Sequence, residues 1–136
     1  MVWFFPELKF VMRHGAEPWV EDAVKLMLKF PNLYYATSAF APKHYPKAII
    51  DFANTRGADK VMYAGYFPMG LSLERIFGDL EHVPFKGEVW PKFLRGNALK
   101  LFGLDPSTLN PPCSPPPAST WKASRAHRQP RLQSSW

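Results

Sequence analysis

Three short runs of the chain carry apolar residues at nearly every position and are bounded by Pro, Asn, Asp or Gly: residues 8–13, 33–37 and 60–64. Their β-branched and aromatic content predicts buried strands, since a strand with one wet face would alternate. Between them the period changes. Val20, Ala23, Val24, Met27 and Leu28 fall at i, i+3, i+4, i+7 and i+8, with Glu21, Asp22, Lys25 and Lys29 off that stripe, the pattern of a helix with one buried face. Pro18 suits its first turn, and acids near the start with lysines near the end complement the helix dipole. Tyr45, Ala48, Ile49, Phe52 and Ala53 repeat the stripe, with Pro46 in the first turn and Gly57 expected to close the helix at positive φ. Leu73, Ile76, Phe77 and Leu80, after a Ser72 cap, predict a third helix. A last helical segment, Trp90, Phe93, Leu94, Leu101 and Phe102, is expected to break at Gly96-Asn97, a stop followed by a new cap.

Strands that alternate with helices run parallel and connect by right-handed crossovers, because a hairpin cannot join parallel neighbours. The loops after all three strands then open on one edge of the sheet. Ligands of parallel α/β sheets bind at that carboxyl edge. Its chemistry comes from Arg13-His14, Thr37-Ser38 and Gly65-Tyr66, with Glu17, Lys43 and His44 just beyond.

Composition divides the chain in two. Residues 1–105 carry thirteen Lys/Arg against eleven Asp/Glu, whereas residues 106–136 carry four basic residues and no acid. Seven of the fifteen prolines fall in that last stretch, which has too little apolar surface to offset the entropy of ordering it. A folded body over 1–105 and a disordered Pro/Ser/Arg-rich tail over 106–136 are expected. The single cysteine, Cys113, lies in the tail, so a cystine-stapled secreted domain is excluded. Met1 to Met12 is interrupted by Pro6, Glu7 and Lys9, unlike a signal peptide, and no run approaches a membrane span. Four scattered basic residues in the tail make no nucleic-acid face. A soluble cytoplasmic protein, with neither membrane nor nucleic acid as partner, is expected.

Lys60-Val61-Met62-Tyr63-Ala64-Gly65-Tyr66-Phe67-Pro68 resembles the end of the last barrel strand in the amidohydrolase-related metal-dependent hydrolases, where the usual pattern is Gly-Ser-Asp-(Tyr/Phe)-Pro. Arg13-His14-Gly15-Ala16-Glu17-Pro18-Trp19 resembles that family's His-Gly-Gly motif after the sixth strand, and Gly96-Asn97-Ala98-Leu99-Lys100-Leu101-Phe102-Gly103 its terminal segment. The resemblance implies an α/β fold, a partial (β/α)8 barrel comprising about the last three strand–helix units. A whole barrel needs about 250 residues, so the expectation is a fragment, a truncated or frame-shifted product whose tail replaces a native end. It also implies metal-assisted hydrolysis, or the related decarboxylation, of a small carbonyl or carboxylate compound, with zinc or manganese in the complete enzyme.

The same resemblance places His14 beside the metal as an acid/base. An imidazole titrates near neutral pH and can take and return a proton. On spacing alone a strand-end histidine that only bonds a neighbouring loop is the commoner case. Tyr66 stands where the family has its metal-ligating, proton-accepting Asp. A neutral phenol is a poor ligand for a divalent ion and a weak base, although it can donate a hydrogen bond to substrate. Glu17, Ser38 and Lys43 are the substrate-binding candidates; His44 reads as a cap. The family's first-strand His-x-His is missing, and His14, His44, His82 and His127 are too dispersed to replace it, so no metal is expected on this chain alone. The alternative function is a non-catalytic module that binds a second copy or a missing barrel half through its sheet edge, and a partner through the Pro-rich tail.

Overall fold

In the computed structural model, residues 1–65, 67 and 70–107 are described. The expected alternation of elements is present: β1 (Phe10–Met12), α1 (Val20–Lys29), β2 (Leu33–Ala36), α2 (Lys47–Ala53), β3 (Val61–Met62), α3 (Leu73–Leu80) and α4 (Asn97–Phe102). The strands form one parallel sheet in the order β1-β2-β3, with Phe10 opposite Leu33 and Tyr35 opposite Val61. Each strand is shorter than its apolar run. Lys9, Asn32 and Lys60, at the entry to each strand, turn their side chains to main-chain carbonyls. Residues Met1–Asp105 form one compact unit; most of the expected tail, residues 108–136, lies outside the described residues.

Because neighbouring side chains alternate faces, the register sorts the sheet into two apolar layers. Phe10, Met12, Leu33, Tyr35 and Val61 face the main core, filled by Met27 of α1, Ile49 and Phe52 of α2, and Ile76 and Leu80 of α3. Val11, Tyr34, Ala36 and Met62 face the opposite side, where Ala98 and Leu101 of α4 cover them. Phe93, fully buried, joins the aromatic part of the main core, with ring centroids 4.8 Å from Phe85 and 6.2 Å from Tyr45. Rings at these separations and tilts contribute beyond their burial alone.

Ser72 caps α3 as expected, accepting the Arg75 N–H at 3.3 Å. Three local expectations are corrected. Pro18 and Pro46 lie ahead of their helices, α1 beginning at Val20 and α2 at Lys47 with Pro46 as its extended cap residue. Gly57 is not at positive φ; a Cβ there would come within 2.2 Å of the Phe52 ring, so glycine is required by close approach. Gly96-Asn97 does not break the last helix. A π-helical turn, Lys92–Gly96, runs directly into α4, with Gly96 and Asn97 both in helical geometry.

Asn97 serves a different purpose from a cap. Its amide donates to the carbonyls of Ala58 at 2.8 Å and Val61 at 2.7 Å, while the Phe93 carbonyl accepts the Tyr63 N–H at 2.8 Å. The free edge of β3 is thereby satisfied by the last helical segment, the kind of cover that sheets use against unwanted pairing. On the other side of the sheet, β1 has β2 as its one strand neighbour among the described residues.

Candidate functional site

The carboxyl ends of β1 and β2 bring together two of the sequence-predicted residues. After β1 the chain enters a tight 3-10 turn, His14–Ala16, with φ of 58° at His14 and 55° at Ala16. Left-handed backbone is costly for residues with a Cβ and calls for something to hold it. Ser38, two residues beyond β2, supplies the hold. Its Oγ accepts the His14 backbone N–H at 3.0 Å and lies 3.3 Å from His14 Nδ1. Ser38 is 1% exposed, whereas His14 is exposed at the rim. The seryl oxygen therefore stands behind the imidazole and offers little surface of its own.

Glu17 shares a groove of about 290 Å³ with His14, walled also by Met12, Arg13, Trp19 and Leu26. Its carboxylate is near enough to Tyr35 to act on that phenol: burial first, then the Glu17 charge and Tyr45, push the Tyr35 pKa up to about 12. Tyr45 is likewise pushed up to about 12 by burial, against the opposing pull of a 3.1 Å hydrogen bond shared with the Thr37 hydroxyl. Burial also raises Tyr63. These tyrosines stay neutral beneath the rim, and Tyr45 is the one tied to it by a hydrogen bond, to Thr37. Thr37 is legible as a strand-end residue, but Tyr35 and Tyr45 look like strand and helix core; the available signal is four hydroxyl-bearing residues within eleven positions of one strand end.

Lys43 is exposed on the 3-10 turn Pro42–His44 and is not part of the groove wall. His44, on the same turn, is exposed as well. Tyr66 lies outside the described residues. Two larger hollows, each of about 420 Å³, sit at the starts of α1 and α2 and beside Phe77, Trp90 and Leu94; no predicted site residue lines either.

No group of three or more His, Cys, Asp or Glu side chains among the described residues is arranged to hold a metal ion. His14 and Glu17 do not make up a zinc site by themselves, since catalytic zinc commonly takes three protein ligands. What the described residues can do unaided is move a proton at the imidazole and orient a polar substrate beside it. No helix among them is long and apolar enough to cross a membrane.

Comparison with known proteins agrees with the parallel α/β fold. None of the curated protein sequences matches the chain. Among solved structures, an uncharacterized TIM-barrel protein from Bordetella bronchiseptica superimposes with a TM-score of 0.63 at 28% identity, over 75% of this chain. The match spans 36% of that protein, so the three parallel strands and their helices correspond to part of a barrel. Proteins of the amidohydrolase family generally use divalent metal ions. The family model described as Amidohydrolase matches residues 4–104, which takes in the strands and helices of the described residues and the His14 rim, and the chain belongs to that family.

Proposed function

We propose that residues 4–104 supply the acid/base part of an amidohydrolase-related barrel enzyme acting on a small carbonyl or carboxylate compound, by hydrolysis or by non-oxidative decarboxylation. One observation carries this reading: His14 stands exposed at the carboxyl end of a parallel strand, held from behind by Ser38 and sharing a groove with Glu17. In that position the imidazole takes a proton from an attacking water, or returns one to the carbon from which carboxylate departs. Glu17 contacts the substrate from the same wall. The metal of the complete enzyme requires ligands beyond the described residues, and no step is assigned to it.

The test uses a barrel in which residues 4–104 are joined to the remaining strand–helix units of a family member. His14→Ala is expected to lower its turnover by about a hundredfold or more, the usual contribution of a general acid or base; an unchanged rate would return His14 to a loop-bonding role. Tyr66→Asp is expected to raise divalent-metal affinity in that barrel, because a carboxylate is a hard anionic ligand and a phenol is not. The 136-residue chain carrying the same change is expected to show little metal binding. Tight metal binding with Tyr66 intact, or none gained with Asp, would make tyrosine a native part of a divergent site.

A second reading, a non-catalytic assembly module, is favoured by the open outer edge of β1, a surface to which another strand can add. Sedimentation separates the two. Self-association that is lost when a proline replaces Val11 favours the module, and a monomer that gains metal and turnover only in the completed barrel favours the enzyme.

A further inference from the structure

Ser38 makes two contacts with one residue through a single atom. Its Oγ is 3.0 Å from the His14 backbone nitrogen and 3.3 Å from the His14 Nδ1. A hydroxyl has one proton to give and two lone pairs to receive with. The backbone N–H can only donate, so it occupies a lone pair. Among the described residues Nδ1 is the one acceptor within reach of this buried hydroxyl, so the neutral tautomer that satisfies the hydroxyl proton carries the ring's own proton on Nε2, whereas the other would leave that proton unmatched. When the ring is protonated, Nδ1–H donates to the second lone pair of the same oxygen. The contact therefore serves both protonation states without any movement of the serine.

The surroundings make this oxygen a fixed point. Ser38 is 1% exposed, its backbone N–H donates to Ala36 O at 2.9 Å, and the preceding Thr37 N–H donates to Met62 O at 3.1 Å. Ser38 is thus tied to the end of β2 and, through Thr37, to β3. His14, in contrast, sits on a turn whose backbone is left-handed at φ 58°. Holding both the amide and the ring of such a residue couples its uncommon backbone to its side-chain direction.

We propose that Ser38 is the positioning residue for His14: it locks the turn through the amide, fixes the ring through Nδ1, and selects the neutral tautomer that presents Nε2–H to the groove. This rests on the reading of His14 as the proton-transfer group. It also replaces the substrate-binding role expected of Ser38, since a buried oxygen already committed to two partners has no free face for a ligand.

The experiment is nitrogen-15 NMR of the His14 ring in the 136-residue chain, above the pH at which the ring is protonated, with Ser38, Ser38→Ala and Ser38→Thr. With Ser38 in place, Nε2 is expected at the shift of a protonated ring nitrogen and Nδ1 at that of a hydrogen-bonded acceptor. Ser38→Ala is expected to move Nδ1 to the shift of an unbonded ring nitrogen and to displace the His14 amide signal. Ser38→Thr, which keeps the hydroxyl, is expected to restore both. A proton on Nδ1 in the unsubstituted chain overturns the proposal, and that reading needs no variant to fold. Ring shifts unmoved by Ser38→Ala, or covalent labelling of Ser38 by a fluorophosphonate probe, overturn it as well. These signals do not depend on turnover, so an inactive His14 would leave the positioning claim standing and a wrong tautomer would leave the acid/base claim to its own test. In the completed barrel, Ser38→Ala is expected to lower kcat with KM unchanged; a rise in KM alone would return Ser38 to substrate binding.

Discussion

The two ends of the sheet use polar side chains in opposite ways. At the amino end, Lys9 donates to Leu101 O, Asn32 to the carbonyls of Val2, Phe5 and Leu8, Lys60 to Met27 O and Phe30 O, and Asn97 to Ala58 O and Val61 O. Each of these donors is spent on main-chain oxygen. Burial accordingly lowers the Lys60 pKa, since the charged form has lost water. At the carboxyl end the polar groups stand in two ranks instead: Ser38, Thr37 and Tyr45 are buried and hydrogen-bonded, Tyr35 is buried beside them, and His14 and Glu17 are exposed in front. The amino end spends its donors on the backbone, and the carboxyl end leaves an imidazole and a carboxylate exposed beside each other in one groove. That difference matches the division of labour in parallel α/β barrels.

The comparison can be sharpened by titrating the rear rank. Tyr35 and Tyr45 carry folded-state pKa values of about 12 against an ordinary 10.0, so the folded form keeps protons that the unfolded form releases. Their contribution is complete below pH 10 and is lost as pH rises toward 12. Tyrosinate absorbance at 295 nm is expected to appear together with loss of ellipticity near pH 12. Ionisation of all five tyrosines near pH 10 in a chain that stays folded would break the distinction between buried support and exposed function. At the amino end, Asn97→Ala leaves two carbonyls without their donor at a residue only 3% exposed, and is expected to cost about 2–3 kcal/mol in urea unfolding. The same substitution is expected to leave the His14 ring spectrum unchanged.

The parallel sheet was readable because three apolar runs alternate with two helical stripes, and that order permits one strand direction. Strand ends were not readable. Lys9 and Lys60 lie within apolar runs, and only the third dimension shows their ammonium groups turned back to carbonyls of α4 and α1. Gly57 and Gly96-Asn97 look like helix punctuation in sequence. Their actual causes are long-range, the Phe52 ring against Gly57 and the β3 edge against Asn97. At the rim, His14 and Ser38 are both legible as strand-end residues, but their pairing across 24 positions is not, because it depends on how the loops after β1 and β2 meet. The Tyr45 support of Thr37 is hidden because a buried tyrosine reads as an apolar ring until its hydroxyl finds a partner.

The most direct test is a paired measurement on the 136-residue chain: the urea-unfolding free energy of Asn97→Ala beside that of His14→Ala. If the amino end carries stability and the rim carries chemistry, the asparagine substitution costs about 2–3 kcal/mol and the histidine substitution about 1 kcal/mol, because the first orphans two carbonyls behind a buried amide and the second one hydroxyl contact behind an exposed ring. A His14→Ala chain destabilised as much as Asn97→Ala, or an Asn97→Ala chain as stable as the unsubstituted one, would contradict the account.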